Sequence, residues 1–157
     1  QFTLDAYTEH QWNSFGLEYV SKPQSLFTYT LSSQYGGYFA DGERLNLAGE
    51  LGYRFQPYVG LSITGNYNQI DLPEPWGNTK FWLVGPRVDV TFTNTLFFTA
   101  FGQYNEQINN INLNTRFQWR FKPASDLYLV YTDNYVPAPF YVKNRTLALK
   151  FTYWWTL

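Results

Sequence analysis

Hydrophobic and polar residues alternate along most of this chain, and the alternation is clearest near its carboxyl end. Leu147, Leu149, Phe151, Tyr153, Trp155 and Leu157 fall in one phase, while Thr146, Ala148, Lys150, Thr152 and Thr156 fall in the other. Period-two alternation places successive side chains on opposite faces of a sheet. The pattern predicts a strand with one strongly apolar face, which another layer or lipid must cover.

The same period recurs along the chain and predicts ten strands. We expect them at residues 2–10, 14–21, 25–39, 43–55, 58–70, 80–92, 96–105, 111–121, 127–134 and 145–157. Most reach the ~9–11 residues that cross a bilayer when tilted, and no segment shows helical periodicity or 18 consecutive apolar residues. The segments 96–105 and 127–134 are apolar in both phases. The expected fold is all-β, an antiparallel up-and-down transmembrane barrel.

Charged residues separate by phase. The polar phase of the predicted strands holds Asp5, Glu9, Glu18, Glu50, Arg54, Arg87, Asp89, Arg116, Arg120 and Lys150. We expect Lys80 and Arg145 at strand ends, and the remaining charges in turns and loops, among them Lys22, Asp41, Glu43, Asp71, Glu74, Lys122, Asp126, Asp133 and Lys143. A charge on the lipid face of a barrel costs ~2–4 kcal/mol at the midplane, which would enforce this separation. A soluble sandwich core would enforce it too.

Composition favours the membrane alternative. Aromatic residues make up 22% of the chain, and tyrosine and tryptophan favour membrane interfaces. The aromatics cluster at both predicted rims: Phe55, Tyr58, Phe92, Phe121, Trp154 and Trp155 near tight turns, and Tyr35, Tyr38, Phe39, Tyr67, Trp76, Tyr104, Tyr135, Phe140 and Tyr141 near longer loops. Two aromatic girdles around an aliphatic band are typical of outer-membrane barrels.

The connections also alternate in length. Tight turns are expected at residues 21–24, 56–57, 93–95 and 122–126, and longer loops at 72–79, 106–110 and 135–144, with an Asp41-Gly42 hairpin tip. Short periplasmic turns opposite long external loops are characteristic of outer-membrane barrels.

A resemblance supports this fold. Five stretches occur in an order that resembles the carboxyl-terminal barrel of the domain of unknown function 5916 family. They are Gln103-Tyr104-Asn105, the stretch from Ile111 to Phe121, Ser125-Asp126-Leu127-Tyr128-Leu129-Val130-Tyr131, Asn144-Arg145-Thr146 and Lys150-Phe151-Thr152-Tyr153. Such barrels usually follow a carbohydrate-binding family-9-like domain. The resemblance implies that residues 1–157 form one barrel domain from the carboxyl-terminal part of a longer protein. It implies no established chemistry.

Candidate chemistry is sparse. The single histidine, His10, has no nucleophile or metal motif beside it, and cysteine is absent. Asp41, Glu43 and Glu74 lack the spacing of a calcium loop. The net charge of −1 argues against nucleic-acid binding. We therefore expect no catalytic residue, cofactor or metal.

The expected lumen-facing polar set is Glu50, Arg54, Asn66, Arg87, Asp89, Asn112, Asn114, Arg116, Gln118, Arg120 and Lys150. The ten charges of the polar phase, five positive and five negative, balance, which favours a salt-bridge network over an ion-selective pore. Arg116 and Arg120 have no inward carboxylate on the predicted neighbouring strands.

The functional expectation is a non-enzymatic protein of a Gram-negative outer membrane, acting as scaffold, passive pore or subunit of an envelope complex, with glycans as candidate ligands. Its partners would be lipid, lipopolysaccharide and the barrel-assembly machinery, which would read Phe151, Tyr153, Trp155 and Leu157 as an assembly signal. Ten strands would form part of a larger barrel, or be completed by another chain. The alternatives are a soluble all-β carbohydrate-binding module and, less favoured, a lipid-modifying barrel enzyme.

Overall fold

Each strand of this chain pairs with the next strand in sequence. A computed structural model describes residues 11–155, and its strands are β1 (Ser14–Val20), β2 (Phe27–Tyr38), β3 (Gly42–Phe55), β4 (Val59–Asp71), β5 (Asn78–Thr93), β6 (Leu96–Asn105), β7 (Asn110–Lys122), β8 (Ser125–Pro137) and β9 (Phe140–Thr152). All neighbours are antiparallel, so these strands form one open up-and-down sheet with β1 and β9 at its edges. A single 3-10 turn, Phe39–Asp41, joins β2 to β3. Within residues 11–155 no helix is long and apolar enough to cross a membrane.

The pairing register divides the strand residues into two faces, since residues directly opposite one another share a side of an antiparallel sheet. One row runs from Glu50 through Thr64 to Gly85, and the next from Leu51 through Ile63 to Pro86. We call the side of Glu50 the polar face and the side of Leu51 the apolar face. The predicted alternation is therefore confirmed as an arrangement of the sheet.

This sheet has almost no hydrophobic core of its own. Among the described residues, Val136 is the one buried hydrophobic side chain, while Leu17, Leu147 and Leu149 are about two-thirds exposed, at 65%, 67% and 68%. The accessible surface is 11628 Å². A compact monomer of the same mass would expose roughly 8,200 Å². The excess means that a large apolar surface has no protein covering it.

The strands meet at two ends that we name by their connections. The turn end holds residues 21–26, 56–58, 94–95 and 123–124, and the loop end holds 39–41, 72–77, 106–109 and 138–139. The prediction of a long loop at 135–144 is wrong, because β8 and β9 extend into this segment and only residues 138–139 connect them. Stacking of Tyr135 on Phe140, with ring centres 5.1 Å apart, accompanies this extension. The difference in connection length between the two ends is therefore smaller than predicted.

Other strand predictions were close, with one exception. The nine strands expected from residue 14 onward are present, although β9 is shifted to Phe140–Thr152 and residues 153–155 lie outside any strand. There the backbone N–H of Trp154 donates to Ser125 Oγ at 3.0 Å. The predicted strand 2–10, with Asp5, Glu9 and His10, lies outside the described residues, as do Thr156 and Leu157.

Candidate functional site

The eleven side chains expected to line a lumen all lie on the polar face by register: Glu50, Arg54, Asn66, Arg87, Asp89, Asn112, Asn114, Arg116, Gln118, Arg120 and Lys150. That this face lines a lumen remains a prediction. The register adds Asn46, Asn68, Gln103, Asn105, Asn134 and Asn144 to the same face. On β4 and on β6 to β9 these amides lie toward the loop end, and the charges lie toward the turn end. The polar face thus has an amide half and a charged half.

An amide ladder crosses β3 and β4 in the amide half. Asn46 Nδ2 donates to Asn66 Oδ1 and to Asn68 Oδ1, both at 2.8 Å. Asn68 Nδ2 donates to Asn66 Oδ1 at 2.6 Å, and Arg44 donates to Asn68 Oδ1 at 3.1 Å. A carboxamide offers two donors and one acceptor oxygen. Because both ladder bonds to Asn66 use its oxygen, its orientation is fixed with the amino group outward.

A second amide ladder crosses β7, β8 and β9. Asn112 Nδ2 donates to Asn134 Oδ1 at 2.7 Å, and Asn134 Nδ2 donates in turn to Asn144 Oδ1. One row nearer the turn end, Asn114 Nδ2 donates to Thr132 Oγ1 at 2.9 Å. Side-chain pairs directly opposite one another stabilise neighbouring strands, so the ladders help to fix the register.

The charged half of the polar face contains two ion pairs among the described residues. The Nε of Arg87 lies 2.7 Å from Asp89 Oδ2, and a second nitrogen of Arg87 lies 3.1 Å from Oδ1. Thr99 Oγ1 donates to the same carboxylate at 2.8 Å. Both side chains are about half exposed, so this pair positions the groups more than it stabilises the fold.

Arg120 has a carboxylate partner on an adjacent strand, contrary to expectation. Its Nε lies 3.4 Å from Asp126 Oδ1, because β8 begins at Ser125 and carries Asp126 onto the polar face. We had assigned Asp126 to a turn. Gln118 also donates to Asp126, at 3.1 Å. Arg116 is exposed and has no ion pair with any residue in the described range 11–155.

A hollow of about 320 Å³ lies in the polar face between β2 and β6. Glu50, Thr64 and Asn66 line one part of it, and Leu83 and Gln103 line another. The hollow exists because small residues, Ala48 and Gly85, lie at its base. A Cβ on Gly85 would meet Thr64 Oγ1 at 2.7 Å and Phe101 Cε2 at 3.3 Å, so glycine permits the close approach of both side chains.

Aromatic residues form two belts on the apolar face. At the loop end the register places Tyr35, Tyr67, Trp82, Tyr104, Tyr131 and Tyr135. At the turn end lie Tyr19, Tyr29, Tyr53, Phe55, Trp119, Phe121, Phe151 and Tyr153, several in ring contact. Between the belts the face is mainly aliphatic. Leu47, Leu51, Leu61, Ile63, Val88, Val90, Leu113, Phe117, Leu149 and Phe151 all fall on the apolar face, as the alternation predicts.

Charges are not confined to one face, which corrects the phase separation expected from sequence. Glu43, Asp71, Lys80, Asp133 and Arg145 lie within strands, on the apolar face. All five lie at the loop end, beyond or within the aromatic belt. Asp133 is fully buried and accepts hydrogen bonds from Tyr131, Tyr135 and Arg145. Tyr35 likewise donates to Glu43 at 2.7 Å. The separation holds for the middle of the strands. At the turn end Lys122, the last residue of β7, lies over the ring of Tyr153 in the aromatic belt.

Sequence reasoning missed the two-strand amide ladder because the alternation reveals the face of Asn46 but not its register with Asn66 and Asn68. It also missed the small-residue base of the hollow. Within residues 11–155 no three histidine, aspartate or glutamate side chains are grouped to hold a metal ion. No model of a known protein family matches the chain, and no curated protein matches it. The resemblance to the domain of unknown function 5916 barrel therefore stays a prediction.

Proposed function

We propose that this chain is a membrane-spanning strand domain of a non-enzymatic outer-membrane β-barrel protein, serving as scaffold, passive pore or subunit of an envelope complex. Its apolar face would contact lipid acyl chains, and its polar face would line the lumen. The observation that carries the proposal is the exposed aliphatic band between two aromatic belts, on a sheet with almost no core among its described residues.

The dimensions of the band support lipid as its covering. On β5, Trp82 belongs to the loop-end belt, and the exposed Phe92, at the register irregularity near the turn end, lies ten positions further along the strand. At ~3.3 Å per residue and a tilt of ~40°, this separation spans roughly 25 Å along the membrane normal. The apolar band of an outer-membrane barrel is ~25 Å tall.

The loop-end charges of the apolar face are compatible with the same placement. Tyr35 with Glu43, and Tyr131 and Tyr135 with Asp133, pair ring hydroxyls with carboxylates just where a headgroup region would begin. Tyrosine suits such a site because its ring is apolar and its hydroxyl finds a polar partner. On the proposed function, these groups would lie at the level of lipid headgroups.

The ion pairs of the polar face support a structural lumen wall in place of a catalytic centre. Arg87 forms an ion pair with Asp89, and Arg120 with Asp126, so each of these carboxylates is already paired with a cation. A general acid or base needs free access to a reacting group. In this arrangement Asp126 holds Arg120 across the β7–β8 pair, and Asp89 holds Arg87 along β5.

Extraction tests the proposal directly. The complete protein should remain with membranes after alkaline and urea washes, should dissolve in detergent, and should migrate differently on gels with and without heating. Release into buffer as a folded monomer would contradict the proposal and would favour the soluble binding module. A precipitated or unfolded protein in buffer that folds on addition of lipid vesicles would support it.

A further inference from the structure

The hollow on the polar face has the chemistry of a sugar site. Hydroxyl, carboxamide and carboxylate groups surround it, and it has an apolar base. It is lined by Glu50, Thr64, Asn66, Leu83, Gly85 and Gln103, among others. We infer that this hollow binds one neutral pyranose unit of an oligosaccharide. The inference rests on the proposed function, because it takes the polar face as the lumen wall along which such a solute passes.

Asn66 would act as an oriented donor. Its Oδ1 accepts from Asn46 at 2.8 Å and from Asn68 at 2.6 Å, whereas its Nδ2 donates to no described side chain. The ladder therefore turns the amino group of Asn66 toward the hollow before any ligand arrives. A donor held in place by its neighbours loses little conformational entropy on binding. Asn46 and Asn68 are positioning residues in this arrangement.

Glu50 would act as the acceptor. Its side chain is exposed and forms no ion pair with a residue in the described part of the chain. The register places it directly opposite Thr64, next to the row that contains Asn66. A carboxylate has two oxygens, so it can accept from two adjacent hydroxyls of one sugar ring. Thr64 is less available, since its hydroxyl donates to the Gly85 carbonyl at 3.1 Å.

The apolar part of the site suits the C–H face of a pyranose. Leu83 lies beside Asn66 by register, and Phe101 lies beside Arg87 on the adjoining strand. Because Gly85 has no side chain, the ring of Phe101 reaches over β5, with Cε2 3.3 Å from where a Cβ would be. Phe101 thus borders the hollow from outside its lining, and Leu83 is the larger apolar side chain within it.

The surroundings favour a neutral sugar over an acidic one. From β4 to β9, the amide half of the polar face has no charged strand residue in regular register among those described. On β3, Arg44 lies in this half, but it is outside the lining of the hollow and donates to Asn68. Lys143 is the extra residue of a bulge in β9. The free carboxylate of Glu50 would repel an acidic sugar, while a neutral hydroxyl can both donate to Glu50 and accept from Asn66.

Saturation-transfer NMR on the complete protein in detergent micelles tests the inference. The probes are maltohexaose and cellohexaose, with hexagalacturonate as the acidic comparison. We expect saturation transfer to at least one neutral probe and none to the acidic one. Asn66→Ala and Glu50→Gln should each weaken binding by about tenfold, the effect of losing one or two good hydrogen bonds. Asn114→Ala is the matched control, because it removes an amide from the same face outside the hollow.

Heat-modifiable mobility is measured first, on the parent and on every variant, so that folding and binding are read separately. A parent without this mobility would overturn both the proposed function and the sugar site. A folded parent that binds neither neutral probe, or that binds equally well with and without Asn66 and Glu50, would overturn the sugar site alone. Stronger binding of hexagalacturonate would overturn it too. A thiol that resists labelling in the folded Ser32→Cys variant would mean that the hollow is filled by protein, with the same consequence.

Discussion

Arg145 Nε lies 2.9 Å from Asp133 Oδ2 across the β8–β9 pair, on the apolar face of the sheet. The carboxylate is fully buried, whereas the Arg145 side chain is 56% exposed. Tyr131 and Tyr135 add two further donors to the same oxygen. The second oxygen, Oδ1, is buried and has no hydrogen-bond partner in the described structure. The buried charge of Asp133 is therefore stabilised by three donors that all bind one of its two oxygens.

Removing the cation alone should be more damaging than removing the pair. We expect Arg145→Leu to lower the free energy of unfolding by about 2–3 kcal/mol, less than for a fully buried pair because Arg145 is partly solvated. The double variant Asp133→Leu/Arg145→Leu should recover most of the loss, since no uncompensated charge remains. Urea titration in lipid vesicles measures both. Lys143→Leu on the same strand is the control, and an equal effect there would argue against a specific pair.

Spin labels on neighbouring residues of β7 test which face meets lipid. Leu113 and Asn114 lie on opposite faces by register. A label at Leu113→Cys should collide mainly with dissolved oxygen, which partitions into lipid, and one at Asn114→Cys mainly with a water-soluble nickel reagent. The reverse pattern would invert the assignment of every strand, because a register slip of one residue exchanges the two faces.

An arginine placed on each face of β4 tests the same assignment by energy. Ile63→Arg puts a charge in the aliphatic band, opposite Leu51, and should cost about 2–4 kcal/mol near the membrane midplane. Ser62→Arg, one residue along on the polar face, should change the free energy of unfolding by less than about 1 kcal/mol. Equal costs at the two positions would show that neither face is in lipid.

Alanine substitutions at two glycines distinguish the effect of packing on stability from the effect of backbone conformation. Gly85→Ala forces its Cβ against Thr64 Oγ1, and Thr64 must then give up its bond to the Gly85 carbonyl. We expect a loss of about 1–2 kcal/mol and a smaller hollow. A Cβ on Gly65 would meet no atom within 4 Å, so Gly65→Ala should be neutral or stabilising by about 0.5 kcal/mol. Equal destabilisation by Gly85→Ala and Gly65→Ala would mean that the loss of stability comes from backbone conformation and not from the contact with Thr64.

Strand order and facing followed from sequence where alternation is strict and turn residues are unambiguous. The expected strand 58–70 and the observed β4, Val59–Asp71, differ by one residue at each end. The β8–β9 hairpin was misplaced because Pro137, Pro139 and Asn144 suggest a loop, while the stacking of Tyr135 and Phe140 depends on tertiary contact.

Side-chain partners across strands were less predictable than facing. The sequence predicts a turn at Asp126, whereas the start of β8 at Ser125 places this residue opposite Arg120. The same holds for Asn46, whose bond to Asn68 joins residues 22 positions apart. Pairings of this kind depend on register, which turn geometry sets and which a hydrophobic pattern alone leaves open.

The number of described strands determines the relative direction of the two edge strands. Neighbours alternate in direction, and β1 and β9 are the first and ninth in the row, so the two edges run the same way. A second copy inserted in the same orientation would therefore meet either edge in parallel. Any element that joins the edges by antiparallel pairing must contribute an odd number of strands. Such an element enters at one end of the sheet and leaves at the other, so the closing piece itself has a polarity across the membrane.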